Sequence, residues 1–391
     1  MIYLDNAAST PTDESIISKM MPYFHQKYAN PHSTTHIEGL NASKDIEHYR
    51  QIIGEYFDVE ADCVVFTSGA TEANNLAIIG AMKAAIKSNS NRKKVLCSSI
   101  EHKCVLESIM SSKEYGFSYE FIPVKENGKI DLDNFKRIID EQTLLVSAMA
   151  TNNETGIDLQ IEEIGELCKE KDILFHTDAA QALHHKKISM AELAIDFCSI
   201  SAHKIYGPKG IGALICNHDS INKLQPLMLG GYQEAGLRSG TMPTHLVVGL
   251  GEAIKLLDMY KDTYLKNMIN LKEEFINLLK ASNLNFSINS VEAEHPGLLN
   301  LYFEGIDSEQ LCSHLLSSVA VSTAAACNSS TYEYSYVLEN MGLDEKKFKN
   351  SIRICIGRQN TLEDIKNSIS LIEEKVIKFL AIDSNTQTKL E

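Results

Sequence analysis

The sequence predicts an α/β protein, with a large domain built on a mostly parallel, seven-stranded sheet and a smaller α+β domain. Three observations predict it. Between about residues 60 and 216, short β-rich runs alternate with helix-like stretches, the pattern of βαβ units. After Gly251 the texture changes to a long charged helical run, then to mixed short strands and helices. The chain has 391 residues, 44% of them hydrophobic, which suffices for large cores and excludes disordered and collagen-like classes.

Taken in order, the expected strands are Cys63–Phe66, Val95–Cys97, Phe121–Pro123, Leu144–Ser147, Ile173–His176, Phe197–Ile200 and Gly212–Ile215, short and mostly apolar runs. Between the first two, Glu72–Lys87 carries Leu76, Ile79, Met82 and Ile86 at helical spacing. Ile161–Lys171 repeats the pattern with Ile161, Ile164, Leu167 and Cys168. A sheet of this kind takes its ligands beyond the C-terminal ends of its strands. Further on, Ile254–Leu279 reads as one long helix, and short strands are expected around Leu298–Phe303. The expected division is 15–255 for the large domain, 1–14 plus 256–380 for the small one, and 381–391 as a polar tail. Within that tail Leu390-Glu391 has the character of a vector remnant and is left out of the fold.

Thirty-seven Lys and Arg against 52 Asp and Glu give a formal charge of −15, which opposes attraction to phosphate backbones and anionic lipid. Direct nucleic-acid binding is not expected. No run approaches the ~18 apolar residues of a membrane helix, so no membrane partner is expected either. Met1–Asn6 carries neither a basic n-region nor an apolar h-region, and the expected address is cytoplasmic. Nine cysteines, scattered without zinc-site spacing, read as reduced thiols, mostly in the core, and no metal is expected.

Three segments carry chemistry. Ser199–Gly210 puts Lys204 directly after a buried strand and before a Gly-Pro-Lys-Gly turn. A desolvated lysine there can form a Schiff base, whereas a surface-loop lysine is the plainer reading of that segment alone. One βα unit earlier, Asp178 stands at another strand end in Phe175–Gln181. Its carboxylate is able to pair with a protonated ring nitrogen, or simply to cap a helix. In Phe66–Asn75, small residues and hydroxyls join a strand to a helix, which suits either a phosphate site or a capping box. The pairing of Asp178 with Lys204 favours pyridoxal phosphate, and neither a Walker lysine motif nor GxGxxG is present.

These segments, together with Tyr3–Ala8, Asn30-Pro31, Glu101–Lys103, Asn152–Gly156, Arg238–Thr241 and Ser351–Arg353, resemble the NifS/IscS-type cysteine desulfurases. Those are class V aminotransferases of the fold-type I pyridoxal-phosphate enzymes, and the resemblance spans about residues 1 to 375. It implies that Lys204 holds the cofactor covalently, Asp178 pairs with its pyridine nitrogen, and His102 stacks on the ring and moves protons. Gln181 is then expected at the ring's phenolic oxygen, with Ala70 (backbone), Thr71, Ser201 and His203 on the phosphate. Thr241 is implied to reach the phosphate of a neighbouring subunit, hence a homodimer. Asn153, counted among the cofactor contacts too, and Arg353 are implied to fix the substrate carboxylate, the arginine by a two-pronged ion pair.

The implied reaction converts L-cysteine to L-alanine and leaves sulfur as a persulfide on a cysteine nucleophile, for delivery to an acceptor protein in iron–sulfur assembly, transfer-RNA thiolation or DNA phosphorothioation. Cys327 fits that role, because Val321–Ser330 surrounds it with small residues, unlike Cys198 between Phe197 and Ile200. A thiolate there must be the reacting form. The rivals are a selenocysteine lyase or an aminotransferase of the same class, and, outside enzymes, a cofactor-bearing scaffold. The chain departs from the family pattern at Tyr232, where a third glycine is common, and at Ala235, where arginine is common, which is expected to reshape the pocket's dimer-side wall. Cys355 stands where a small or hydroxyl residue is typical, as a packed thiol or a second sulfur site. The C-terminal tail also lacks the extension that scaffold-docking members often carry, leaving the acceptor open.

Overall fold

The computed structural model describes residues 1–323 and 334–387. Thirteen strands occur among them: β1 (Ile2–Tyr3), β2 (Val64–Thr67), β3 (Lys94–Ser98), β4 (Ser118–Ile122), β5 (Thr143–Ser147), β6 (Leu174–Asp178), β7 (Phe197–Ser201), β8 (Gly212–Cys216), β9 (Phe286–Ile288), β10 (Leu298–Phe303), β11 (Val319–Ala320), β12 (Ser322–Thr323) and β13 (Ser351–Cys355). The seven expected sheet strands are all present as β2 to β8, in the order β2-β8-β7-β6-β5-β3-β4. Only β8 runs antiparallel to its neighbours β2 and β7, so the other six point the same way. Strand β4 covers Ser118–Ile122 rather than the expected Phe121–Pro123. Proline has no N–H to give the ladder, and the exposed polar residues of this edge strand hid its start.

Residues of the central strands are buried on both faces, and their period-two alternation sends side chains into two different cores. Val64, Phe66, Leu96, Val146 and Ile200 join one cluster. Their neighbours Val65, Val95, Leu145, Phe197 and Leu214 join a second one across the sheet. A third cluster gathers Leu4, Phe275, Leu279, Leu299, Ile352 and Ile372 around the antiparallel sheet β12-β13-β10-β9.

The expected helix Ile254–Leu279 is longer, Thr244–Ala281, 38 residues or about 57 Å. Its first turns were obscured by Gly249 and Gly251, which the packing requires: a Cβ on Gly251 would stand 2.3 Å from the Tyr49 ring. The helix supplies Val247, Leu250 and Ile254 to the first core, and Leu271, Phe275 and Leu279 to the third. The N-terminal residues lie across both regions. Ile2 and Tyr3 pair with Val319 and Ala320, while Thr10 and Asp13 bond through their backbone N–H groups to His203 and Tyr206 carbonyls. No helix among the described residues is long and apolar enough to cross a membrane.

Candidate active site

Five of the co-directional strands end on one edge of the sheet, and the segments that follow them wall a cavity of about 450 Å³. After β2 the chain turns at Gly69 (φ +152°), a conformation closed to residues with a Cβ, and enters the helix Ala70–Lys87. Among the described residues, no side chain caps that N-terminus. Its first-turn amides and the helix dipole therefore face the cavity beside Thr71 and Ser201. Glu72 instead turns back to accept from Ser68 N–H (2.7 Å) and pairs with Arg238 at 2.9 Å.

Asp178 closes β6 with only 5% of its surface exposed. Its Oδ1 accepts from the Ala180 N–H at 2.9 Å and its Oδ2 from Asn74 Nδ2 at 2.7 Å. Asn74 comes from the helix after β2, so two strand ends are tied at this carboxylate. After β3, His102 caps the helix Lys103–Met110, its Nδ1 accepting from the Cys104 N–H at 3.3 Å. Burial holds the imidazole below its ordinary pKa, opposed by Asp178 and reinforced by Lys204 and Arg353. Glu101, fully buried behind it, accepts from Ser98 Oγ (2.6 Å) and Met149 N–H (2.7 Å), and burial pushes its carboxyl up to about 8.

On the opposite wall, Lys204 follows β7 in a short turn and donates from Nζ to the carbonyls of Ala7 and Ala8. Gln181 Nε2 donates to the same Ala7 carbonyl at 2.7 Å. His203 Nδ1 lies 3.2 Å from Ser9 Oγ, and burial, with Lys204 and Lys209 nearby, lowers its pKa to about 4. Arg353 enters from β13, almost wholly buried, donating Nη1 to the Asn153 carbonyl (3.0 Å) and pairing through Nη2 with Asp5 at 2.9 Å. Asn153 itself sits in a turn built by Asn152, whose Oδ1 collects the N–H groups of Glu154 and Thr155 at 2.9 Å each.

Ten of the twelve residues singled out from the sequence line this one cavity: Ala70, Thr71, His102, Asn153, Asp178, Gln181, Ser201, His203, Lys204 and Arg353. Thr241 is exposed and lies outside it. Cys327 falls outside the described residues. Tyr232 and Ala235 line a different cavity, of about 650 Å³ over Arg50. Both hold left-handed backbone (φ +60° and +52°), which lets Glu234 between them reach back to Arg50 and the Phe66 N–H. Cys355 is 2% exposed, packed with Ala7 and Leu298, and burial raises its thiol to about 12, the state of a packed thiol.

Sequence reasoning missed Asn74 and Cys104. Asn74 sat inside a helical pattern whose only readable signal was its apolar stripe. For Cys104 a signal existed, since it stands two residues past a helix-capping histidine on the cavity side.

The donor set suits pyridoxal phosphate. An anion finds uncapped helix amides with two hydroxyls, a ring N–H finds the Asp178 carboxylate, and an aldehyde finds the Lys204 amine. On the cavity wall, Asn153 Oδ1 is buried and finds no hydrogen-bond partner among the described residues.

Comparison with known proteins agrees in extent and kind. The family model described as aminotransferase class-V matches residues 2–367. A relative named cysteine desulfurase IscS, from Rickettsia bellii (strain OSU 85-389), is 42% identical over 381 residues, covering 96% of this chain and 91% of its own. Among solved structures, a NifS-like protein superposes with a TM-score of 0.89 at 31% identity, covering 97% of this chain and 99% of its own. Another, titled SspA in complex with cysteine, gives 0.81 at 34% identity, over 92% of this chain and all of its own.

Proposed function

This chain belongs to the class-V aminotransferase family, and from that premise we propose how its own residues carry out cysteine desulfuration. It is a pyridoxal-phosphate-dependent cysteine desulfurase whose substrate is L-cysteine. When bound, the cofactor supplies an electron sink that makes the substrate Cα–H acidic. The observation that carries the assignment of roles is the convergence of Asp178, Lys204, His102 and Arg353, from four separate strands or strand ends, on one cavity.

In this reading Lys204 holds the cofactor and, once displaced by the substrate amine, removes and returns the Cα proton at Nζ. Asp178 pairs with the ring nitrogen, held for it by Asn74. Ala70, Thr71, Ser201 and His203 hold the phosphate, and Gln181 the phenolic oxygen. Arg353 and Asn153 orient the substrate carboxylate, the arginine already steadied by Asp5. His102, neutral because it is buried, relays protons on the cavity side. The Cys327 thiolate forms a bond to the substrate sulfur as the sulfur's bond to Cβ breaks. A persulfide stays on Cys327 and the carbon fragment leaves as L-alanine. Supporting that placement, β12 ends at Thr323 with Ser322 paired to Arg353, four residues before Cys327.

The proposal extends to a homodimer with Thr241 serving the neighbouring phosphate, to a cytoplasmic address, and to a protein acceptor for the sulfur. It also takes 15–255 and 1–14 plus 256–380 as two domains, a division supported by the separate third core and crossed by the helix Thr244–Ala281. The test is alanine and sulfide release from L-cysteine with a reductant, comparing wild type and Cys327→Ala at matched cofactor occupancy. Turnover lost only in the variant, with an unchanged visible spectrum, is expected. Turnover retained in the variant refutes Cys327 as the carrier.

A further inference from the structure

We propose that Cys104 is a positioning residue for His102: its thiol donates to Nδ1 and fixes the imidazole with its proton on Nε2, facing the cavity. The idea rests on the reading of His102 as the proton relay, and it is carried by a hydrogen-bonded chain whose direction its fixed donors and acceptors set; the Thr71 side chain also reaches the Cys104 sulfur. Asp178 Oδ2, a carboxylate oxygen, only accepts, so the amide group 2.7 Å away must be Asn74 Nδ2. Turning that amide over would set Oδ1 against the carboxylate. The same Nδ2 reaches Cys104 Sγ at 3.2 Å, and sulfur therefore accepts from Asn74.

Sγ in turn lies 3.0 Å from His102 Nδ1. That nitrogen already accepts the Cys104 backbone N–H at 3.3 Å, so a proton on Nδ1 would face another donor. The proton between sulfur and nitrogen consequently belongs to sulfur. Burial and the nearby Asp178 charge, which push the thiol up to about 12, keep it there at neutral pH. Asp178, Asn74, Cys104 and His102 then form one relay from the carboxylate assigned to the ring nitrogen to the imidazole assigned to the ring face. A thiol in this position is a donor of hydrogen-bond strength rather than a nucleophile.

The charged groups acting on His102 are Asp178, which favours its protonation, and Lys204 and Arg353, which oppose it. Glu101, with its carboxyl near 8, is uncharged beside it at neutral pH. Those influences stay in place when the thiol is removed. Losing a donor that stabilises the neutral ring raises the imidazole pKa. By the strength of one neutral hydrogen bond the rise is about half a unit to one unit.

Histidine C2-hydrogen exchange, read by mass spectrometry on the cofactor-loaded full-length protein, resolves the pKa of His102 in wild type, Cys104→Ala and Cys104→Ser. The expected result is a rise in Cys104→Ala and a value close to wild type in Cys104→Ser, whose hydroxyl donates in the same place. An unmoved pKa in Cys104→Ala, or a Cys104→Ser shift as large as that of Cys104→Ala, overturns the proposal. A wild type without visible absorbance would instead overturn the cofactor reading, and the exchange profile of His102 still reports on the relay in that case.

Discussion

Glu101 should make the protein less stable as pH rises through the neutral range, and Glu101→Gln should remove that dependence. The carboxyl titrates near 8 in the folded chain, against about 4.3 in an unfolded one. Below about pH 4.5 both states hold the proton and the group contributes nothing unfavourable. Between about 4.5 and 8 the folded state holds a proton that the unfolded state releases, so stability falls with rising pH, by up to about 1.4 kcal/mol per unit. Glutamine keeps the Oε1 acceptor used by Ser98 and Met149 and cannot titrate. For a chain of 391 residues, the unfolding entropy converts that slope into roughly 2 °C of Tm per pH unit. Thermal unfolding of both proteins, equally loaded with cofactor, at unit steps from about pH 5 to 8, supplies the comparison. Titrations common to the two cancel, and the difference in Tm should widen in favour of the variant as pH rises. Parallel curves would refute the reasoning, showing that Glu101 ionises in the folded protein much as it does in the unfolded one.

Asn74→Ala strips Asp178 of its 2.7 Å donor. A hydrogen bond to a charged group is worth about 1.5–3 kcal/mol, so cofactor affinity should fall roughly tenfold to a hundredfold in a spectral titration. Gly212→Ala would place a Cβ 2.3 Å from the Ile200 carbonyl and 2.8 Å from the Gly69 backbone. Neither neighbour is the end of a flexible side chain, so a loss of about 3 kcal/mol or failure to accumulate as folded protein is expected, read by Tm and soluble yield. Cys355→Ala should leave sulfide release within about twofold of wild type, because a thiol held to 2% exposure with its pKa near 12 is not a working nucleophile. A large loss would make Cys355 a sulfur site after all.

The parts of the fold legible in the sequence were those that repeat locally. Strands buried on both faces show as short apolar runs, and Asp178 and Lys204 were conspicuous because charged residues rarely end such runs. Strand β4 was misplaced because an edge strand half in water keeps polar residues, and the long helix began earlier than expected because glycines at its tightest crossing looked like an end. The cavity's finer wiring was hidden for another reason. Asn74 meets Asp178 across 104 positions and Arg353 meets Asp5 across 348, and no local spacing encodes such meetings. Cys104 looked like one more core cysteine until its sulfur was found between an amide and an imidazole.

The strip from Ile2 to Asp13, lying over the cavity and pairing with Val319, Arg353 and His203, also orders events during synthesis. Residues of this strip have partners more than 300 positions further along the chain. At about 5–20 residues per second, Asp5 waits on the order of twenty seconds to a minute for Arg353 to be made. Until then the Arg353–Asp5 pair on the cavity wall does not exist. The sheet can assemble as it emerges, but the complete cavity wall waits for β13. A translation product stopped before β13 should therefore be a folded sheet without a working site.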